Sequence, residues 1–180
     1  MIFLSPNGLW QSHMMLVVVG GLPGSGKTTI GKTVAEMLTA AYVRIDALEA
    51  AMWRAGIARE QPTGLAAYVV GEAVAEGCLT AGTSVVVDAV NAVEAARQTW
   101  RDLAARTHKP LRIIEVICSD TAEHRRRVEA RSVDLEGHYV PTWADVVERE
   151  YEPWREPRLV VDTSQSPAEC RLQIEEYLAD

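Results

Sequence analysis

The stretch Gly21-Leu22-Pro23-Gly24-Ser25-Gly26-Lys27-Thr28-Thr29 is the part of this chain best suited to chemistry. Gly21 and Gly26 stand with four residues between them, and Lys27 and Thr28 follow directly. Glycines let the backbone turn tightly with its N–H groups facing inward, which makes a concave nest for anionic oxygens. An ammonium at Lys27 can reach the β- and γ-phosphates of a nucleoside triphosphate, and the Thr28 hydroxyl can ligate Mg²⁺. Such a loop works only between a strand and a helix N-terminus, where the backbone amides converge on the phosphate. Met14 to Val19 reads as a buried strand, and Ile30, Val34, Met37 and Leu38 recur at helical spacing from Lys27 to Ala40.

Two carboxylates follow apolar strand-like runs. Asp46 closes Tyr42-Val43-Arg44-Ile45, where it can accept the proton of a hydroxyl attacking a γ-phosphate, or cap the next helix. Asp88 ends Val85-Val86-Val87, where it can hold Mg²⁺ or one of its waters, contact a substrate, or cap a helix together with Asn91. Asn91 and Arg97 lie just beyond and are further candidates for the same cleft. Glu72 and Glu76 share a helical stripe with Leu65, Tyr68 and Val69, which suits either a polar substrate or the rim of a sheet.

The segment His124-Arg125-Arg126-Arg127-Val128-Glu129-Ala130-Arg131 is a third signal. On a helix Arg127 and Arg131 share one face with His124 beside them, and Arg126 points away. Two arginines on one face can grip phosphate oxygens and stabilise charge during phosphoryl transfer. The same run also suits a solvated face carrying pairs to Glu123 or Glu129. With the Gly137-His138-Tyr139 loop, residues 124–141 are expected to form a lid.

Strand-like and helix-like segments alternate along the rest of the chain. The expected strands are Met14–Val19, Tyr42–Ile45, Ser84–Asp88, Leu111–Cys118 and Leu159–Asp162. Helices are expected from just after Asp46 to about Ala55, over Leu65–Ala81, Ala92–Arg106, Asp120–Ser132, Thr142–Glu152 and from Ser166 onward. Apolar strands separated by helices specify an α/β fold, a parallel sheet covered on both faces, whose ligands sit at the carboxyl ends of the strands.

At 180 residues the chain has the size of one domain. Its 48% hydrophobic and 24% charged residues suit a globular protein, and a net charge of −7 weighs against a general polynucleotide binder. Cys78, Cys118 and Cys170 are far apart and form no C-x-x-C pair, as in proteins of a reducing, cytoplasmic compartment. No apolar run approaches the roughly 20 residues of a membrane span. Residues 1–13 lack the features of a secretory signal and are expected to be a disordered leader before a domain over 14–180.

The order of glycine loop, Asp46, Asp88 and Arg-x-x-x-Arg helix resembles the small P-loop kinases of the zeta-toxin, polynucleotide-kinase and chloramphenicol phosphotransferase group. From Val85 onward, Asp120, His124, Arg127, Arg131, Pro141-Thr142-Trp143, Tyr151-Glu152-Pro153-Trp154 and Val161-Asp162-Thr163 look like the bacterial ATP-binding kinases of that group. The resemblance runs from about Met15 to the C-terminus. It implies a three-layer P-loop NTPase fold with strand order 2-3-1-4-5. It also implies ATP and Mg²⁺ held through Lys27 and Thr28, with Asp46 as the hydroxyl-activating base. Arg127 and Arg131 become lid arginines, and the loop from Thr163 to Ser166 borders adenine. Polynucleotide kinases carry a basic residue soon after that aspartate, whereas Ala47, Leu48 and Glu49 follow here. The expected acceptor is therefore a hydroxyl of a small molecule. A polynucleotide end kinase and a nucleotide switch without an acceptor are the alternatives.

Overall fold

A computed structural model describes residues 14–130 and 140–180. Its centre is a five-stranded sheet in the order β2-β3-β1-β4-β5, with every paired neighbour parallel. The strands are β1 (Leu16–Gly20), β2 (Ala41–Arg44), β3 (Val85–Asp88), β4 (Leu111–Ile117) and β5 (Leu159–Asp162). The helices are α1 (Lys27–Leu38), α2 (Ile45–Arg54), α3 (Thr63–Thr80), α4 (Glu94–Thr107), α5 (Thr121–Glu129), α6 (Trp143–Glu148) and α7 (Pro167–Ala179).

Side chains alternate across the sheet, so each strand feeds two cores. Val17, Val19, Val86, Ile114 and Val116 pack beneath α1 and α7, against Ile30, Val34 and Ile174. Leu16, Val18, Val85 and Val87 pack on the other face against Ala67, Ala75 and Leu79 of α3 and Trp100 and Leu103 of α4. Burying each large apolar side chain is worth about 1.5–3 kcal/mol. A buried charge inside these layers would cost more than that, so polar chemistry is confined to the strand ends.

Chain punctuation follows local hydrogen bonding. Asp120 caps α5 by accepting from the N–H groups of Ala122 and Glu123. Capping boxes start α6 at Thr142 with Asp145 and α7 at Ser166 with Glu169. Three boundaries differ from expectation. Strand β2 ends at Arg44, so Asp46 is the second residue of α2 instead of the last of a strand. Helix α4 begins at Glu94 with Val93 as its cap, because Asn91 adopts a left-handed φ of 52° and turns its side chain inward. Helix α6 stops at Glu148, before the expected Glu152, and Arg149 is extended. The chain beyond it crosses to α4, where the Glu152 carboxylate accepts from Glu94 N–H at 2.8 Å and the Glu152 N–H donates to the Ala92 carbonyl at 2.9 Å.

Candidate functional site

The glycine loop joins β1 to α1 at the carboxyl edge of the sheet. Gly24 has φ 80° and Gly26 φ 94°, a region costly for side-chain-bearing residues. Space forbids side chains as well. A Cβ on Gly24 would lie 2.5 Å from Val128 Cγ2, and one on Gly26 would lie 3.0 Å from Thr163 Cγ2. Gly26 occupies the cap position of α1, and no side chain caps that helix. The first-turn amides are left to an anion, which the helix dipole also favours. Lys27 is buried against this turn.

Behind the loop, α1 meets the end of β3. Thr28 Oγ1 donates to Asp88 Oδ2 at 2.8 Å, and Tyr42 Oη donates to the same oxygen at 2.5 Å. Asp88 is 1% exposed, yet its Oδ1 has no hydrogen-bond partner among the described residues. A buried carboxylate oxygen left unpaired costs about 1–3 kcal/mol or more, so its environment is incomplete as it stands. A hydrated Mg²⁺ beside Thr28 would complete it. That cation commonly takes one or two carboxylates plus phosphate oxygens and keeps several waters. Thr28 and Asp88 therefore fit the cation that the motif implies. Tyr42 was not expected at this site. Burial and then the neighbouring Asp88 charge push its phenol well above the ordinary tyrosine range. Its only sequence signal is its place two residues before Arg44 on the strand that pairs with β3.

Asp46 stands in the first turn of α2, just past the carboxyl end of β2. Arg44 lies 3.8 Å from it with a side chain only 9% exposed. The sequence reading sought a basic residue after Asp46. The structure places one before it, in register with Asp88 across the strands. Farther along α2, Glu49 Oε1 accepts from Thr63 Oγ1 at 2.8 Å, and Trp53 Nε1 donates to the same hydroxyl at 3.1 Å. These bonds tie α2, the helix that carries Asp46, to α3.

Helix α5 braces the loop from the other side. The buried His124 donates from Nε2 to the Pro23 carbonyl at 2.8 Å, with its ring edge-on to Trp143. Arg127 donates from Nη1 to Thr163 Oγ1 at 2.7 Å and from Nη2 to the Thr163 carbonyl at 3.0 Å. Thr163 Oγ1 in turn donates to the Ser25 carbonyl at 2.7 Å. Asp162 holds this turn by accepting from the N–H groups of Ser119 and Ser164. Burial works against its ionisation, but the bonds from Ser119 and Ser164 hold its carboxyl well below the usual range. A cavity of about 290 Å³ opens beside the loop, lined by Gly26, Thr29, Ile30, Arg127, Thr163 and Pro167 among others.

The Arg–Glu pairing weighed for this helix is also present. Arg125 pairs with Glu129, and both Arg126 and Arg127 pair with Glu123. Hydrogen bonds from Arg126 and then Arg127 draw the Glu123 carboxyl down to about 2. Arg126 is mostly exposed, and Arg127 faces the loop, as helical spacing requires. Arg131 and the expected lid loop through Tyr139 lie outside the described residues, as does the expected leader.

Two pairs of candidate polar residues are bonded into the framework. Arg97 is buried and donates to the carbonyls of Asn91, Ala92, Glu152 and Pro153, with its guanidinium 4.0 Å from the Trp154 ring centre. Asn91 Oδ1 accepts from Trp100 Nε1 at 2.9 Å, and the Asn91 N–H donates to Tyr68 Oη. Arg97 ties the β3–α4 turn to the segment leading into β5, and Asn91 ties it to α3 and α4, as polar groups in a dry core must be bonded to stay satisfied. Glu72 and Glu76 both pair with Arg106 of α4, at 2.8 and 2.9 Å, so this stripe on α3 is tied to its neighbouring helix.

Comparisons with known proteins agree with this architecture. A family model described as an AAA domain matches residues 16–149. An uncharacterized protein of Mycobacterium tuberculosis is 29% identical over 133 residues, which are 68% of this chain and 26% of that protein. The chain thus spans about a quarter of the length of the curated relatives it matches. Among solved structures, a protein from Chloroflexus aurantiacus superposes with a TM-score of 0.73 at 20% identity, over 92% of this chain and 99% of that one. Kti12 of Chaetomium thermophilum, solved with ADP-AlF3, gives 0.68 at 22% identity over 92% and 100%. APS kinase of Mycobacterium tuberculosis, solved with AMPPNP and APS, gives 0.69 at 19% identity over 93% and 99%. At these identities the likeness establishes the fold. The five-stranded parallel sheet in order 2-3-1-4-5 is that of the P-loop NTPases.

Proposed function

Because the chain belongs to this AAA-domain family of P-loop proteins, we propose that it is an ATP- and Mg²⁺-dependent phosphotransferase acting on a hydroxyl group of a small molecule. The observation that carries the reading is the Thr28–Asp88 pair, with one Asp88 oxygen buried and unpaired, directly behind an uncapped helix N-terminus. Solved neighbours with the same fold hold AMPPNP and ADP-AlF3, which supports a nucleotide in this site.

In this reading the loop amides and Lys27 bind the triphosphate. Mg²⁺ held through Thr28 and Asp88 supplies charge neutralisation at the phosphates. Asp46 orients the acceptor hydroxyl and takes its proton, and Arg127 keeps the Thr163 turn closed on the nucleotide side. Positioning and electrostatics do most of the work in phosphoryl transfer, so fixed geometry matters more than covalent chemistry. The space between Asp46 and helices α2 and α3 receives the acceptor. Arg44 next to Asp46 makes an acceptor with an anionic group as suitable as a neutral one.

The test is transfer of labelled phosphate from ATP to a panel of hydroxylated metabolites and antibiotics, with neutral and anionic members, beside 5′-hydroxyl oligonucleotides. A labelled small-molecule product supports the proposal. Labelling of oligonucleotide ends alone, or hydrolysis unchanged across the panel, overturns it in favour of an end kinase or a nucleotide switch.

A further inference from the structure

Tyr42 lies on the edge strand β2, and its ring reaches under α1 to the end of β3. It can do so because residue 31 is glycine. A Cβ there would lie 3.1 Å from Tyr42 Cε2, close enough to push the ring aside slightly, and 3.6 Å from Asp88 Cβ, an ordinary contact. The hydroxyl then donates to Asp88 Oδ2 at 2.5 Å, the oxygen that already accepts from Thr28 at 2.8 Å. Two hydroxyl donors converge on one oxygen, and among the described residues none reaches the other.

That asymmetry has a consequence for the carboxylate. A carboxylate held by one donor can rotate about its Cβ–Cγ bond and exchange its oxygens. Here the second donor comes from a different element than the first, so the plane of the group is set from two directions. Oδ2 accepts from both hydroxyls, and Oδ1 is the buried oxygen left without a donor among the described residues. Groups that orient a metal-binding side chain through such hydrogen bonds typically change metal affinity by about 10–100-fold when removed.

We infer that Tyr42 is the positioning residue of the Mg²⁺ site, holding Asp88 so that Oδ1 faces the cation, and that Gly31 is the notch that admits it. This rests on the proposed use of Mg²⁺–nucleotide and adds a residue to that site. The distinguishing property is a separation of effects. Tyr42 touches the carboxylate and, among the described residues, makes no hydrogen bond to the glycine loop, so its loss should weaken the cation and leave the metal-free nucleotide unchanged.

The experiment measures binding of a fluorescent, non-hydrolysable ATP analogue to the full chain, with excess chelator and across a Mg²⁺ titration. The wild type, Tyr42→Phe and Gly31→Ala are compared, and folding is checked by thermal melting. Tyr42→Phe keeps the ring and removes only the donor. The expected result is chelator-state affinity within about twofold of wild type and a Mg²⁺ midpoint raised by about 10–100-fold. Gly31→Ala, which displaces the ring, should move the midpoint in the same direction. An unchanged midpoint in a folded Tyr42→Phe protein overturns the inference alone. Equal weakening with and without Mg²⁺ also overturns it, because that is what a purely structural tyrosine would do. A wild type whose nucleotide affinity ignores Mg²⁺ overturns both the inference and the proposed function beneath it.

Discussion

Thr28 of the first helix and Asp88 of the third strand are 60 residues apart in sequence and 2.8 Å apart in space. Their contact anchors the proposed site, because it joins the helix that follows the glycine loop to the carboxylate at the end of β3. Everything else around it, from Tyr42 on one side to Arg127 and Thr163 on the other, is arranged relative to that pair.

Lys27 is buried at the turn where phosphate charge would be densest. Lys27→Ala is expected to abolish transfer and to weaken triphosphate binding more than diphosphate binding, read by competition with a fluorescent nucleotide. Turnover of ATP at the wild-type rate in this variant would remove the basis for a kinase.

Asp46→Asn separates two roles. As the base, Asp46 should lower transfer by about 10²–10⁴ when made neutral, with nucleotide affinity retained. As a first-turn carboxylate of α2 beside Arg44, it should cost only about 0.3–1 kcal/mol of stability. Single-turnover rates and a thermal melt on the same protein distinguish the two. A stability loss with full transfer rate assigns Asp46 to the helix.

Arg127→Ala is expected to loosen the Thr163 turn, which it holds through two hydrogen bonds. ATP affinity should fall, because the same residues line the cavity beside the loop. Arg126→Ala removes an exposed pair with Glu123 and should leave affinity within about twofold, since solvent screens such exposed pairs. Equal losses in both variants would contradict the assignment of the inward face of α5.

Alkaline titration gives an independent check. Burial raises the phenols of Tyr68 and Tyr151 to about 12, and Tyr42 is raised as well. The folded values lie above the unfolded value of 10.0, so these groups contribute stability that is fully present below pH 10 and lost as pH climbs through the folded range. Tyrosinate absorbance between pH 10 and 12 should therefore under-report the chain's 5 tyrosines until the protein unfolds. Complete ionisation near pH 10 with the fold intact would contradict the burial of these rings.

The sequence by itself determined the phosphate nest, the alternation of strands and helices, and the sheet edge at which chemistry gathers. These are local properties. Gly24, Gly26, Lys27 and Thr28 act through backbone conformation and residue type within one loop, and Val85-Val86-Val87 declares a buried strand by composition alone. Asp120, Thr142 and Ser166 cap the helices expected to begin there, because a cap bonds its own first turn. Tertiary structure decided which polar groups face one another. Tyr42 meets Asp88 only because parallel pairing sets β2 beside β3 and Gly31 leaves room. His124 reaches Pro23, and Arg97 meets the carbonyls of an irregular segment some 55 residues away, through packing that no spacing rule encodes. Arginine and asparagine look alike in sequence whether they bind a ligand or satisfy a buried carbonyl. The difference is the desolvation of their neighbours, and that exists only once the chain has folded.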